Sequence, residues 1–524
     1  MNKLFSLKRA VTTIVLSALL TQTFAQLNNQ DFKKALWMTT RMFGGQRSGS
    51  NNWLIMDHMP KLDTVGTNGW FVNAHGGTIK LLQKGKDFTK DADGNHDLTG
   101  GWFDCGDHAM FGQTQFIAAY VLLKGYSEFQ AGYDDYYTQD YKGYEKAGDF
   151  SWEGGKHDPD GIPDILNELK WETDFFIKCT PGPRTFYSQK GDGNADHMNW
   201  VTSVAMATAP IKEGGQKDGS RPIVKNPNDA SMPSFCGATL ALMSRMYRPY
   251  DSKYADSCLA HAKFAYEYAV KHPSTQGSEP YYQANRKWCD DFCCLCAELY
   301  WATGNEKYKR EAEGMLPFLE NYKWVFNYNN NDDLAAYNLA KMGNKEGLQI
   351  FDSLANDYKA QVDQTGLFIG GDNTWGPLRY NSNTAFIVAL QAVLHKETTV
   401  NQFVLRNVSF ILGDNSAKQS FVVGFAKDAT YKSPQHPHHR NIYLIDDMSK
   451  DQNKMEIPAR NKQMGYMIGG IRKPELFGDV ATNAQTNEGG IDYNAGLVGA
   501  IAYIISVQNP VDLNKMTPKK TNGK

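Results

Sequence analysis

Between residues 100 and 113 the chain reads GGWFDCGDHAMFGQ, which sets Asp104 and Asp107 three positions apart beside His108 in a glycine-rich turn. Two carboxylates this close can share one water, the first holding it while the second draws off its proton, as general-base hydrolysis requires. The same spacing serves equally at a helix start, where an aspartate side chain caps free backbone N–H groups. A second cluster, SPQHPHHR at 433–440, gathers His436, His438, His439 and Arg440. Three imidazoles suit a metal, while imidazole with guanidinium also suits sugar hydroxyls or the orientation of a carboxylate, and spacing does not choose. Third, FGDVATNAQTNEGGIDYNAG at 477–496 puts Glu488 in a polar, glycine-flanked loop ahead of an apolar stretch, where a solvated glutamate is the plainer reading. Cys289, Cys293, Cys294 and Cys296 follow a C-x3-C-C-x-C pattern without the paired C-x2-C knuckles of zinc sites, so they are expected to pack a helix.

The elements that must position these groups read as helices. Apolar residues recur at helical spacing over 108–126, 162–179, 234–247, 254–270, 291–303, 333–342, 383–395, 401–412 and 493–507. With shorter stretches the count approaches twelve. Strand-like alternation is confined mainly to SFVVGF at 420–425, so a doubly wound sheet fits poorly and an all-α body is expected. Glycine- and asparagine-rich segments such as KDADGNHDLTGG, HDPDGIPD and QKGDGNADH punctuate the helices as polar loops, where functional residues tend to gather. No tract rich in Pro, Ser or Thr divides the chain, which makes residues 26–510 one large domain and leaves 511–524 as a flexible tail.

Across 524 residues, 55 Lys and Arg stand against 57 Asp and Glu, so the basic excess of a phosphate binder is missing and nucleic acid is excluded as a partner. A hydrophobic share of 41% with 11 Trp, 27 Tyr and 27 Phe speaks for a folded body. Residues 1–25 have the layout of a secretory signal peptide, with Lys3, Lys8 and Arg9 ahead of an apolar run that ends near Ala25. No later stretch is apolar for the roughly 20 residues of a membrane helix. A secreted or periplasmic protein follows as the expectation. Its eight cysteines permit disulfides but are too few to carry the fold.

Taken together, these blocks resemble the family 9 glycoside hydrolases, chiefly endo-β-1,4-glucanases acting on cellulose. GGWFDCGDHAMFG resembles that family's GG-W/Y-x-D-A-G-D-H-x-K-F-G block, PDILNELKWETDFFIKC its DILDE-x-KW-x-TDY-x-LK segment, and GDGNADHMNW its GDG-x-x-DH-x-x-W loop. GQRSG at 45–49, WGPLRY at 375–380, QSFVVGF followed by HPHHR, and the closing F-x-D with Glu488, Tyr493 and Asn494 extend the likeness over nearly the whole chain. Departures are Cys105 where the family usually has Ala, Met110 for a frequent Lys, Ala426 for Gly, Ala484 for an aromatic and Gly490 for Ser, Thr or Ala.

The resemblance implies an (α/α)6 barrel of six helical hairpins with a cleft at one end. It also implies Asp107 as general base, Asp104 as its helper in holding water, and Glu488 as general acid with a raised pKa. Such a division inverts the anomeric carbon and sets the carboxyls roughly 6.5 to 9.5 Å apart. By the same matching His197, Trp200, Trp375, Tyr380, His438, Arg440 and Tyr493 fall on sugar-binding positions. Structural calcium in many members lies near an acidic pair before a helix, to which Asp290 and Asp291 are the nearest match, although such a pair caps a helix equally well. No cofactor is expected for the chemistry, the expected partner is a β-1,4-glucan, and the expected state is a monomer. Alternatives are an exo-acting or cello-oligosaccharide-preferring hydrolase of the same family, an inactive glycan-binding relative, and a helical-barrel polysaccharide lyase.

Overall fold

The computed structural model describes residues 27–47, 96–98, 100–136, 152, 157–198, 222–276, 281–282, 286–320, 324–440 and 463–513, with the backbone of three short strands at 65–66, 70–72 and 78–80. Residues 1–25, Trp200 and most of the 511–524 tail lie outside this set.

Among the described residues twelve long helices form six pairs. The inner members are α2 (Gly112–Glu128), α5 (Ser231–Met246), α7 (Cys289–Thr303), α9 (Asp332–Lys341), α11 (Pro377–Leu394) and α14 (Ile491–Gln508), and each touches the next until α14 closes against α2. Outside them lie α1 (Asn29–Gly45), α3 (Asp164–Cys179), α6 (Ser252–Lys271), α8 (Glu306–Gly314), α10 (Lys345–Ala360) and α12 (Gln402–Ile411). Their sequences explain the sorting. Ile491 to Ile505 of α14 and Gly112 to Tyr126 of α2 are buried without interruption, because nearly every position is apolar or small. In α10, by contrast, burial falls on Gly347, Phe351, Leu354, Ala355 and Tyr358, one stripe of an amphipathic helix. This is the (α/α)6 barrel.

Starts and stops are locally encoded. Asn28, Asp251, Asn305, Asn344 and Asn401 cap α1, α6, α8, α10 and α12 through their side chains. Gly304, at φ +66°, ends α7 just before α8 begins. Helix α11 begins six residues earlier than its apolar pattern indicates, since Pro377 takes the first position, where its missing N–H costs nothing.

Buried polar groups tie the inner ring at both ends. Ser231, Asp290 and Asp291, and Asn331 belong to the starts of α5, α7 and α9 and hydrogen-bond one another. Further along, Lys124 of α2 and Arg245 of α5 both pair with Glu298 of α7, and Lys124 Nζ also donates to Asn338 Oδ1 of α9 at 3.0 Å. These helices therefore run parallel, with their N-terminal, positive dipole ends on one side.

The strand expectation for SFVVGF is corrected. Residues 420–425 form a buried irregular crossing held by Phe421 N to Ile411 O (2.8 Å), Val423 N to Tyr466 O (2.9 Å) and one bridge between Val422 and Met467. Its alternation reflects burial on several sides. The described strands make two small antiparallel sheets, of which β4 (Met110–Phe111), β5 (Tyr187–Lys190) and β6 (Ile223–Lys225) stand at the cleft end.

Candidate active site

Two loops at the N-terminal ends of inner helices bring the carboxyls together, with the 433–440 loop packed against them. The loop 100–109 precedes α2, and its glycines are required by close packing. A Cβ on Gly101, which has φ +79°, would lie 2.4 Å from Met110 Cε, and one on Gly106 would lie 2.4 Å from His438 O. Arg440 N donates to Gly106 O at 3.0 Å and Ile491 N to Asp104 O at 3.1 Å, which stitches this loop to the other two. The capping role left open by the spacing is absent here. Helix α2 is capped at Phe111 with no side-chain bond, while Asp107 Oδ1 accepts Ala109 N at 2.7 Å inside the turn.

Asp104 accepts the Tyr282 hydroxyl on Oδ2 at 2.6 Å and the Thr114 hydroxyl on Oδ1. Burial, then the neighbouring Asp107, pushes this carboxyl up, and the two hydroxyls pull it back. Asp107 Oδ2 faces the Cys105 thiol at 2.9 Å and His197 Nε2 at 3.8 Å. Glu488 follows the four-residue helix α13 (Ala484–Asn487), and Gly469 N donates to its carbonyl at 2.7 Å. Burial, reinforced by Asp107, lifts the Glu488 carboxyl to about 8, against hydrogen bonds from Cys105 and Gly106 N–H that lower it. A carboxyl there keeps its proton at neutral pH.

The expected sugar-binding residues divide. His197 follows α4 (Gly193–Asp196); its Nδ1–H donates to Gly193 O at 2.7 Å, so Nε2 accepts the Tyr281 hydroxyl at 2.8 Å. Trp375 is 43% exposed and stands just ahead of α11, beside the segment that leads to Glu488. His438 is half-buried, and burial holds its imidazole down to about 4, so neutral Nδ1–H donates to Ala481 O at 2.6 Å. Tyr380 and Tyr493 are nearly buried and sandwich the Arg379 guanidinium, at 4.9 and 5.0 Å from its carbon, so they stiffen the wall more than they face the cleft.

Arg440 departs from the expectation of a cleft-facing side chain. It is 0% exposed and ion-pairs with Asp196, which joins the 433–440 loop to α4 and leaves no surface for a hydroxyl. The histidines beside it have separate partners. His436 faces Asp479 at 3.4 Å and His439 faces Gln46 at 3.2 Å, which disperses the imidazole set that suggested a metal.

Asp290 and Asp291 are poor calcium ligands as they stand. Asp291 accepts Ser231 Oγ and Asn331 Nδ2, Asp290 Oδ2 accepts Asn331 N at 2.7 Å, and only Asp290 Oδ1 lacks a hydrogen-bond partner. Calcium takes six to eight oxygens. The pair instead clasps three helix ends. All four cysteines of α7 are buried in its packing, and the eight in the chain are free thiols.

Several neighbours of the carboxyls escaped the sequence reading. Tyr282 touches Asp104 from 178 positions away, with Tyr281 stacked on His197 at 4.6 Å and on Phe111 at 5.2 Å. Trp324, 43% exposed, stands edge-on to Tyr380, and Asp492 lies 3.8 Å from Arg379. The Tyr-Tyr pair ahead of α7 is the one local signal, since two aromatics in a polar loop seldom lack a partner surface.

Comparison with known proteins agrees with this geometry. The model of Glycosyl hydrolase family 9 matches residues 32–501. Endoglucanase A of Fibrobacter succinogenes is 32% identical over 84% of this chain and 94% of its own length, and Endoglucanase A of Bacillus pumilus is 28% identical over 82% and 63%. A cellulase of C. cellulolyticum, solved in complex with cellobiose, superposes at a TM-score of 0.69 with 26% identity, covering 90% of this chain and 98% of that one. The endoglucanase of the termite Nasutitermes takasagoensis, at 24% identity, shares the fold with a TM-score of 0.71 over 91% and 99%. The barrel, the three converging carboxyls and a family match running through all of them place the chain in glycosyl hydrolase family 9.

Proposed function

We propose that the cleft hydrolyses internal β-1,4-glucosidic bonds of cellulose or a related β-glucan, with Asp107 as base, Asp104 as its partner and Glu488 as acid. The observation that carries this reading is the convergence of Asp104, Asp107 and Glu488 on the Cys105 thiol, with Glu488 held protonated by burial and by Asp107 on the opposite loop. Glu488 gives its proton to the glycosidic oxygen as the bond to the anomeric carbon breaks. A water held by Asp104 and Asp107 attacks from the other face, and Asp107 takes its proton. Inversion follows, as is general in family 9, and neither step requires a cofactor.

His197 and Tyr281, with Trp375 and Trp324, supply flat faces and hydroxyl partners for glucose rings, and neutral His438 offers Nε2 as an acceptor. No helix among the described residues is long and apolar enough to cross a membrane. We read residues 1–25 as an export signal and the enzyme as a monomer of one catalytic domain. Proton NMR of cellopentaose digestion tests the chemistry, using wild type and Glu488→Gln. The α-anomer is expected first, with the variant nearly inactive. The β-anomer first sinks the two-carboxyl assignment, and an absence of cleavage sinks the glucan.

A further inference from the structure

The thiol of Cys105 lies among the three carboxyls. Sγ is 2.9 Å from Asp107 Oδ2 and 3.6 Å from Asp104 Oδ2, and it also hydrogen-bonds the Glu488 carboxyl. The main chain holds it there, through Gln46 Nε2 donating to Cys105 O at 2.7 Å and the ties at Asp104 O and Gly106 O. We propose that Cys105 is a positioning residue that couples base to acid, its S–H donating to Asp107 Oδ2 while Glu488 is protonated and to Glu488 once that carboxyl is ionised. This rests on the assignment of Asp107 as base and Glu488 as acid.

The chemistry of the group supports the role. A thiol has one donor and a weak acceptor, which alanine lacks. Burial, then the charge of the neighbouring Asp107, keeps this thiol protonated, so it serves as a donor and is no reactive thiolate. Each oxygen of a carboxylate has two lone pairs, and the thiol takes one on Asp107 Oδ2, leaving another for the water. After bond cleavage the charges are exchanged, with Glu488 ionised and Asp107 protonated. The S–H then turns to Glu488 without any heavy atom leaving its place. Other groups facing Glu488 are Asp104 and Asp107 on the same loop and the phenols of Tyr281, Tyr466 and Tyr493.

The test compares full-length wild type, Cys105→Ala and Cys105→Ser by pH–rate profiles on cellopentaose, with circular dichroism to establish equal folding. Loss of the donor is expected to lower kcat about three- to tenfold with KM within about twofold, the scale of one hydrogen bond. Without a thiol to donate to ionised Glu488 its carboxyl loses an anion-stabilising hydrogen bond, so the alkaline limb of Cys105→Ala moves to higher pH and Cys105→Ser brings it back. An infrared difference spectrum, wild type minus Cys105→Ala, isolates the Cys105 S–H stretch, which is expected at lower frequency than a free thiol and to move as pH passes the alkaline limb. Superimposable profiles with an unshifted band overturn the proposal. If Glu488→Gln is inactive in the same assay, that failure concerns the thiol alone; if Glu488→Gln is active, the acid assignment itself has failed.

Discussion

The two ends of the inner ring treat buried glutamates in opposite ways. At the cleft end Glu488 is surrounded by Asp104, Asp107 and a neutral thiol, and burial with Asp107 lifts it to about 8. Toward the other end burial alone would lift Glu298, yet Lys124 and Arg245 together hold it below the ordinary range. Burial is common to both, and countercharge decides the proton. A barrel that needs a rigid ring pairs its charges; one that needs an acid in the cleft withholds the cation.

Breaking the cleft side of this contrast has the largest expected effect. Asp107→Asn and Glu488→Gln each remove a group to which we assign proton transfer, and kcat on cellopentaose should fall about 10²- to 10⁴-fold, measured by reducing-end release. Retention of activity within tenfold of wild type in either variant removes that residue from the chemistry.

Breaking the paired end comes next. Glu298→Gln strands Lys124 and Arg245 without an anion and should cost about 3 kcal/mol in denaturant unfolding, with an unchanged pH–rate profile. Glu298 has a depressed folded value, so its contribution exists above the unfolded glutamate value and is lost as pH falls through the folded one. The variant should therefore show a weaker dependence of stability on acid pH than wild type.

Glu488 has the opposite sign. Its raised folded value means stability is full below the unfolded value and is lost as pH rises toward about 8. Glu488→Gln should be more stable than wild type at pH 8 by up to about 1.4 kcal/mol for each pH unit crossed, less what solvent screening removes. Thermal melts between pH 5 and 8 read this directly, and parallel curves for the two proteins dismiss the raised pKa.

The smallest effects sharpen the cleft wall. Trp375→Ala should raise KM for cello-oligosaccharides about tenfold with little change in kcat, as expected for one lost ring face. Arg440→Lys, by contrast, should leave KM alone and lower thermal stability, because the guanidinium is buried against Asp196. A larger change in KM for Arg440→Lys than for Trp375→Ala reverses the division between wall and brace.

Much of the barrel was legible in local pattern. Nine helices read from apolar spacing recur within a few residues of their structural bounds, the largest error being the start of α11 at Pro377. Helices α8 and α10 are not separable by composition, since an outer helix with one buried stripe among charged residues differs little from a polar loop, whereas that reason does not cover α1, which is buried without a break from Ala35 to Gly44. The run at 420–425 misled because a segment buried on several sides mimics a strand. Within the site, types and block order placed Asp104, Asp107 and Glu488, and nothing near Tyr282 in the chain connected it to Asp104.

By itself, then, the sequence determined which stretches are helical, which helices are apolar enough to be inner, and which loops hold acids, because propensity, capping and periodicity act within a few residues. Tertiary structure alone decided that burial and Asp107 lift the Glu488 carboxyl, that Arg440 braces an inner contact, and that the Cys105 thiol touches Asp107 and Glu488 together. Those properties depend on burial and on charges brought close through space from distant positions, and a linear spacing does not contain them.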